Sequence, residues 1–423
     1  MNKEAIITIK EYDKLYVREN RDLSRNIISK NDAANLQSII LEKGPVFSFG
    51  NRCLSAQQYI GVIHIPGVTI EILPKIYGET QDNQIRNILI RMLQVTNQTS
   101  NLRQLEASVS LSRNSIVEII IQSFLLELNT YLNAGLQKEY IKQSENLCKV
   151  KGQILFRKQF TKNILDPTRF YCRYSKYIVD NKINRFFKIC LVTMSAISHD
   201  RQNKHWIDEL LSLFENVSCV DINTALSFRI GFNSINNRAK VAYLYGRLFL
   251  ENMHSTLHTG STKVYTILFD MARLFESFVY RVARLVYGDR ITFQKSGNYL
   301  ISRVLDGKKF INLRPDITFR VSEDNLWVID TKWKLPGNFA KESDIYQMNA
   351  YSSCIKNVNK TILLYPKTQR SDNLAGSYTI MSKDNSPRLL EIKFLDLQSC
   401  LNWKSFLQYF KSLIESSSLS TIT

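Results

Sequence analysis

The spacing of apolar positions changes several times along the chain. From residue 59 the run YIGVIHIPGVTIEILPKI alternates apolar with other residues on both sides of Pro66-Gly67, which predicts two strands joined by a tight turn. Helical spacing follows in IRNILIRMLQVT and in NSIVEIIIQSFLLELNTYL, where Ile116, Ile120, Phe124 and Leu128 stand at i, i+4 and predict a core-facing stripe. Further helices are predicted over 180–198, 205–217 and 236–253, so a mainly β first third gives way to an α-rich middle. The polar stretch NMHSTLHTGST, residues 252–262, has no apolar period and reads as a linker. Its His254 and His258 lack the intervening Glu of a zinc-protease helix. Beyond it, ILFDMARLFESFVYRVARLVYG predicts a helix, RPDITFRVSEDNLWVIDTKWK a hairpin, and SDIYQMNAY a helix capped by Ser343. KTILLYP and LLEIKFLDL read as strands. The expected class is α+β or α/β and multidomain, with segments 1–150 (β-rich and helical), 151–260 (basic, mainly helical) and 261–423.

Composition narrows the function classes. At 44% hydrophobic with modest Gly and Pro, the chain is neither collagen-like nor largely disordered. No apolar run approaches the ~20 residues of a membrane helix, and MNKEAIITIKEYDKLYVREN has no signal-peptide core. A cytoplasmic protein without a membrane partner is expected. The seven cysteines form no C-x-x-C pair, which favours buried thiols in a reducing compartment. A net charge of +18 points to a polyanionic partner, with nucleic acid first. Between 149 and 190 eleven basic residues face two acids, and aromatics interleave in RFYCRYSKY. Arg169, Arg173 and Lys176 are candidate DNA contacts there, although a solvated basic face has the same signature.

The hairpin carries the candidate chemistry. Alternation puts Ile317, Phe319 and Val321 on one face of its first strand, and Asp316, Thr318 and Arg320 on the other. On the return strand Val328, Asp330 and Lys332 share a face. A turn near Glu323 sets Asp316 across from Asp330, with Cβ atoms roughly 4.5–5.5 Å apart. Two carboxylates that close repel unless a cation lies between them, and hard oxygen donors suit Mg²⁺, with Mn²⁺ a possible substitute. Asp316 and Asp330 are expected to hold the metal, with the Thr331 carbonyl as a further oxygen, for phosphodiester hydrolysis. Lys332 is expected to orient the water and offset charge in the transition state. The competing reading is a surface hairpin with incidental ion pairs. Glu391 and Lys393 in LLEIKF have the same spacing but no carboxylate across a hairpin, so replacing Glu391 is expected to do little. Glu276 borders the apolar stripe of its helix and is expected to serve a metal-bound water or second metal, or to pair with an arginine. Gln347 and Tyr351 share a helical face and are expected to reach DNA phosphate.

LRPDI followed by VIDTKWK, with Glu276 upstream and Gln347/Tyr351 downstream, resembles the PD-(D/E)XK nuclease superfamily, in the branch whose helix carries Q-x-x-x-Y. FDMARLFESFV, RPDI…IDTKWK and DIYQMNAY together are similar to the McrC family, nuclease subunits of McrBC modification-dependent restriction systems. GVIHIPGVTIEILPKI, IRNILIRML, GLQKEYI, KGQILF and DNKINRFFK extend the resemblance over most of the chain. It implies a carboxy-terminal PD-(D/E)XK endonuclease domain, a mixed sheet flanked by helices, that cuts double-stranded DNA and self-associates. It also implies a front part, including Gly61 to Lys75, that docks on and stimulates a hexameric McrB-like AAA+ GTPase. The chain has no G-x-x-x-x-G-K-[ST] loop, so in this reading another polypeptide hydrolyses GTP. A stand-alone repair or recombination nuclease and a non-catalytic DNA-binding scaffold are the alternatives.

Overall fold

The computed structural model describes residues 5–37, 39–41, 44–75, 81–96, 115–233, 236–257, 263–334, 336, 339–367, 373–381 and 388–416. The chain is mixed α+β and divides into two compact units, residues 1–116 together with 252–423, and Val117–Glu251. Among the described residues no helix is long and apolar enough to cross a membrane.

The division departs from the expected boundaries at 150 and 260 because one sheet draws on both ends of the sequence. Tyr59–Ile65 and Val68–Leu73 form the predicted hairpin, turning at Gly67 with φ +78°. Ala5–Lys10 pairs parallel with Val68–Leu73. On the other side Lys263–Asp270 pairs antiparallel with Tyr59–Ile65, and Met253–Leu257 closes the five-stranded sheet. Gly61 permits this closure, since at φ +132° a Cβ would lie 2.0 Å from the Ile267 carbonyl oxygen.

Three expectations change here. The stretch read as a linker contains the strand Met253–Leu257, an edge strand with one neighbour and hence little need of an apolar pattern. His258 lies outside the described residues, and His254 stands on a strand. Ile267–Asp270, predicted as helix, ends the strand Lys263–Asp270; Asp270 then caps the helix Met271–Tyr287 by accepting from the Arg273 amide at 3.1 Å. Gly61–Lys75 is core: Val62, Ile63, Ile65, Val68, Ile70, Ile72 and Leu73 are all buried, so the stretch has few side chains to offer a partner.

A second, six-stranded sheet runs in the order Ile291–Phe293, Ile317–Ser322, Asn325–Thr331, Val358–Pro366, Arg388–Leu395, Gly376–Ile380. Two pairings, Asn325–Thr331 with Val358–Pro366 and the latter with Arg388–Leu395, are parallel and the other three antiparallel. Val328, Leu363, Tyr365, Ile392 and Phe394 pack with Met348 and Tyr351 of the helix Glu342–Cys354. Helices Met271–Tyr287 and Trp403–Glu415 take the opposite face, where Tyr287 lies against Phe319 and Phe278 against Phe406. Burial on both faces explains the near-continuous apolar runs of ILLYP and LLEIKFL.

The unit Val117–Glu251 holds the predicted stripe, with Ile120, Phe124 and Leu128 buried, and the helices Lys182–Ile197, Arg201–Ser212 and Lys240–Glu251. This unit also holds an antiparallel sheet of Glu139–Leu147, Phe170–Ile178 and Gln153–Ile154, the last two of which lie in the segment 151–260 expected to be mainly helical.

Candidate functional site

The strands Ile317–Ser322 and Asn325–Thr331 turn at Glu323-Asp324 and pair Ile317 with Ile329, Thr318 with Val328 and Phe319 with Trp327. One step further along this register, Asp316 stands opposite Asp330. Asp330 is 0% exposed. The Lys332 ammonium lies 2.5 Å from its Oδ2, while Oδ1 meets no hydrogen-bond donor among the described residues. Burial, and after it the charge of Asp316, pushes the Asp330 carboxyl up to about 7. Burial also raises Asp316, against the opposing pull of Thr331, whose amide and hydroxyl donate to Oδ2 at 2.8 and 2.9 Å. For Lys332 burial alone would lower the ammonium, but Asp330 and Asp316 together hold it above its ordinary value. A fully buried carboxylate and a half-buried one thus act on one ammonium, which is in direct contact with Asp330. An acceptor oxygen without a donor, in a site short of positive charge, fits a hard divalent cation such as Mg²⁺.

A hydrogen-bonded chain surrounds the pair. Lys332 Nζ donates to Gln347 Oε1 at 3.0 Å, and Gln347 Nε2 donates to the Tyr351 hydroxyl at 2.7 Å. That hydroxyl donates to the Arg314 carbonyl at 3.1 Å. The Arg314 guanidinium donates to Gln294 Oε1, and Gln294 Nε2 donates to Glu276 Oε1 at 2.5 Å. Among the described residues no three His, Cys, Asp or Glu side chains converge to hold a metal, so Glu276 does not complete a carboxylate triad; it anchors this chain instead. Tyr351 departs from the expected phosphate contact as well. It is 2% exposed with its hydroxyl engaged, and it fixes Gln347. The helix Glu342–Cys354 starts from Lys341 without a side-chain cap, two residues ahead of the expected cap Ser343. Gln294 was not foreseen. Its backbone is left-handed at φ +44° and its amide donates to the Asp316 carbonyl at 2.8 Å, a tertiary placement that no periodicity marks.

On the opposite face Trp333, next to Lys332, packs on Phe275 at 5.4 Å and donates through Nε1 to buried Glu11 at 3.0 Å. Residues of the first sheet region therefore brace the strand that carries the site.

A family model described as "McrBC 5-methylcytosine restriction system component" matches residues 54–366, well over half of the chain. The chain belongs to that family. No curated protein matches it in sequence. Among solved structures, a chain of the refined half-complex from a tetradecameric assembly of Thermococcus gammatolerans McrB AAA+ hexamers with bound McrC is similar at TM-score 0.70 and 18% identity. That match covers 97% of this chain and 99% of the other. A chain of the Thermococcus gammatolerans McrBC complex gives TM-score 0.50 at 20% identity, over 67% of this chain and 88% of that one. At these identities the likeness is one of fold.

The McrBC match takes in the basic segment, where the three candidate DNA contacts do not form one patch. Arg173 and Lys176 stand three residues apart on the strand Phe170–Ile178 and so on opposite faces of its sheet, and Arg169 lies 3.7 Å from Asp166. Several of the neighbouring cations rest on aromatic rings, Lys158 over Tyr171 at 4.9 Å and Lys151 over Tyr174 at 4.2 Å. The Glu391/Lys393 pair, expected to be incidental, is a buried cluster: Glu391 is 0% exposed between Lys360 at 3.2 Å and Lys393 at 3.0 Å.

Proposed function

We propose that the chain is the endonuclease subunit of an McrBC-type restriction system, an McrC-like protein that hydrolyses phosphodiester bonds of double-stranded DNA at Asp316, Asp330 and Lys332. The observation that carries this reading is the pairing of buried Asp330 with half-buried Asp316, with Lys332 against Asp330 and an acceptor oxygen left over, in a chain of the McrBC family. The mixed sheet with helices on both faces is in keeping with a PD-(D/E)XK domain.

Asp316 and Asp330 would hold Mg²⁺, which when bound polarises the scissile phosphate and lowers the pKa of water. The protein's own part is positioning. Thr331 fixes Asp316 through two hydrogen bonds, so one oxygen of that carboxylate has a set direction. Lys332 has three donors; Asp330 and Gln347 take two, leaving the third for a phosphate oxygen or the attacking water. Its charge is retained at neutral pH and offsets the charge that builds on the phosphorane-like transition state. A second copy joined through the same unit would bring two such sites to the two strands. A separate AAA+ GTPase of the McrB kind would be the motor, a reading supported by the McrB hexamers named with the similar solved structure.

The test is plasmid nicking with Mg²⁺, in the presence of an McrB-like motor and GTP, by Asp316→Ala, Asp330→Asn and Lys332→Ala. Each is expected to lose activity by on the order of 100-fold or more while melting as a folded protein. Full cleavage by the Asp330→Asn variant would remove this hairpin as the active site.

A further inference from the structure

The chain between Gln294 and Arg314 leaves the six-stranded sheet and forms a separate two-stranded antiparallel ribbon, Asn298–Ser302 paired with Lys309–Leu313. Both of its legs end in the candidate site. Gln294 binds Glu276 and the Asp316 carbonyl, and Arg314 is two residues from Asp316 with its own carbonyl on Tyr351. The strand Asn298–Ser302 also packs beside Glu342–Cys354, the helix of Gln347 and Tyr351.

The ribbon is built for contact with something outside this chain. Tyr299, Leu300, Ile301, Phe310 and Ile311 are exposed on its strands, as are Val304 and Leu305 at its tip. Ile311, a β-branched residue, is held in the left-handed region at φ +55° while 58% exposed, a strained backbone whose side chain gains no burial in return. Charge selects the partner. Lys295, Arg303, Lys308, Lys309 and Arg314 stand against a single acid, Asp306, in residues 295–314. Arg303 and Lys308 lie over the Phe310 ring at 5.5 and 5.7 Å, and Lys309 over Tyr299 at 5.5 Å. At the base of the ribbon a groove of about 330 Å³ is lined by Lys295, Arg320 and Lys356, with Glu323 as its acid. Its Thr318 and Arg320 share a strand face with Asp316.

We propose that the ribbon Asn298–Leu313 and the basic groove at its base form a duplex-DNA-binding arm that lays a phosphate backbone across Asp316, Asp330 and Lys332. A two-stranded ribbon fits the major groove, where its apolar tip meets base edges, and its cations reach the flanking phosphates. The proposal rests on the reading of the site as a DNA nuclease and gives that site its substrate-holding surface.

The experiment separates the two. Binding of the full-length protein to a fluorescein-labelled DNA duplex is followed by anisotropy in EDTA over a salt series, so that no cleavage contributes. Arg303→Glu/Lys308→Glu/Lys309→Glu is expected to weaken binding more than tenfold at low salt and to lower the slope of log K against log salt by about 2–3, close to one per lost phosphate contact. The neutral set Arg303→Gln/Lys308→Gln/Lys309→Gln guards against misfolding by charge reversal and is expected to move the slope in the same direction, with thermal melting unchanged in both. Wild-type slope and affinity in both folded variants overturn the arm, and so does a variant that binds DNA normally but fails to respond to the AAA+ partner, since the ribbon is then a protein contact. Ribbon-dependent binding by a protein that never cuts upholds the arm and removes the nuclease reading alone.

Discussion

Asp330 and Glu11 are both fully buried, and both carboxyls are pushed up to about 7 by burial. Their consequences for stability share a sign. A carboxyl whose folded pKa exceeds its unfolded value adds stability below the unfolded pKa and loses it as pH rises through the folded one. For Glu11 the window runs from 4.5 to about 7, and the loss across it is on the order of 3 kcal/mol. The metal-free protein is therefore expected to melt at progressively lower temperature between pH 5 and 8. Glu11→Gln, which keeps an acceptor for the Trp333 indole and the Lys75 amide, should flatten part of that slope. Mg²⁺ should restore the part due to Asp330 and leave the part due to Glu11. Calorimetry of the wild type and the Gln variant across this range, with and without Mg²⁺, checks both statements. An identical pH slope in the two proteins would show that Glu11 ionises in the folded state as freely as in the unfolded one.

At the scale of elements, one charged cluster ties a strand to a helix end. Glu391 accepts from Lys360, and Lys393 donates to the carbonyls of Leu413, Ile414 and Ser416 where the helix Trp403–Glu415 ends. Lys360 also lies 3.8 Å over the Trp327 ring. Removing the carboxylate leaves two buried ammonium groups facing each other, so Glu391→Ala is expected to cost about 3–5 kcal/mol, read as a drop in urea midpoint. Glu391→Gln should cost less, and neither should alter Mg²⁺ binding by protein that remains folded. The sequence spacing that resembled Asp330-x-Lys332 could not reveal this, because the deciding partners, Lys360 and the helix end, are distant along the chain. The same distinction runs through the whole site. Strand alternation with a two-residue turn made Asp316, Asp330 and Lys332 legible, as the register follows from local geometry alone. Gln294 and the edge strand Met253–Leu257 escaped because tertiary pairing sets them. The mostly exposed strands of the basic segment escaped because they carry no apolar alternation.

At the scale of the molecule, sheet pairing decides which truncations are informative. Residues 1–116 share a five-stranded sheet with 253–270, and Glu11 braces Trp333, so a fragment beginning near 261 lacks strands its own Lys263–Asp270 must pair with. It is expected to be insoluble or molten, whereas Val117–Glu251, with its own buried helices, should fold when expressed by itself. With the apolar side chains of Gly61–Lys75 buried, the proposed contact with a GTPase ring is expected to use other surface. In the second unit Phe156, Phe160, Ile164 and Leu165 are all exposed amid basic residues, and rings 156 and 160 stack 6.5 Å apart. Apolar side chains in that number seldom stay bare on a protein that works alone. If the proposed site chemistry had no gate it would cut any accessible DNA, and the sequence carries no G-x-x-x-x-G-K-[ST] motif of its own for nucleotide. The purified chain is accordingly expected to cut little. An McrB-like motor with GTP should switch cleavage on, and the chain should in turn raise GTP turnover. Phe160→Asp with Leu165→Asp should lower that stimulation and leave the melting of the first unit unchanged. The measurement is nicking and phosphate release for chain, motor and mixture. Vigorous cutting by the chain alone, indifferent to motor and GTP, would instead make it a self-sufficient nuclease.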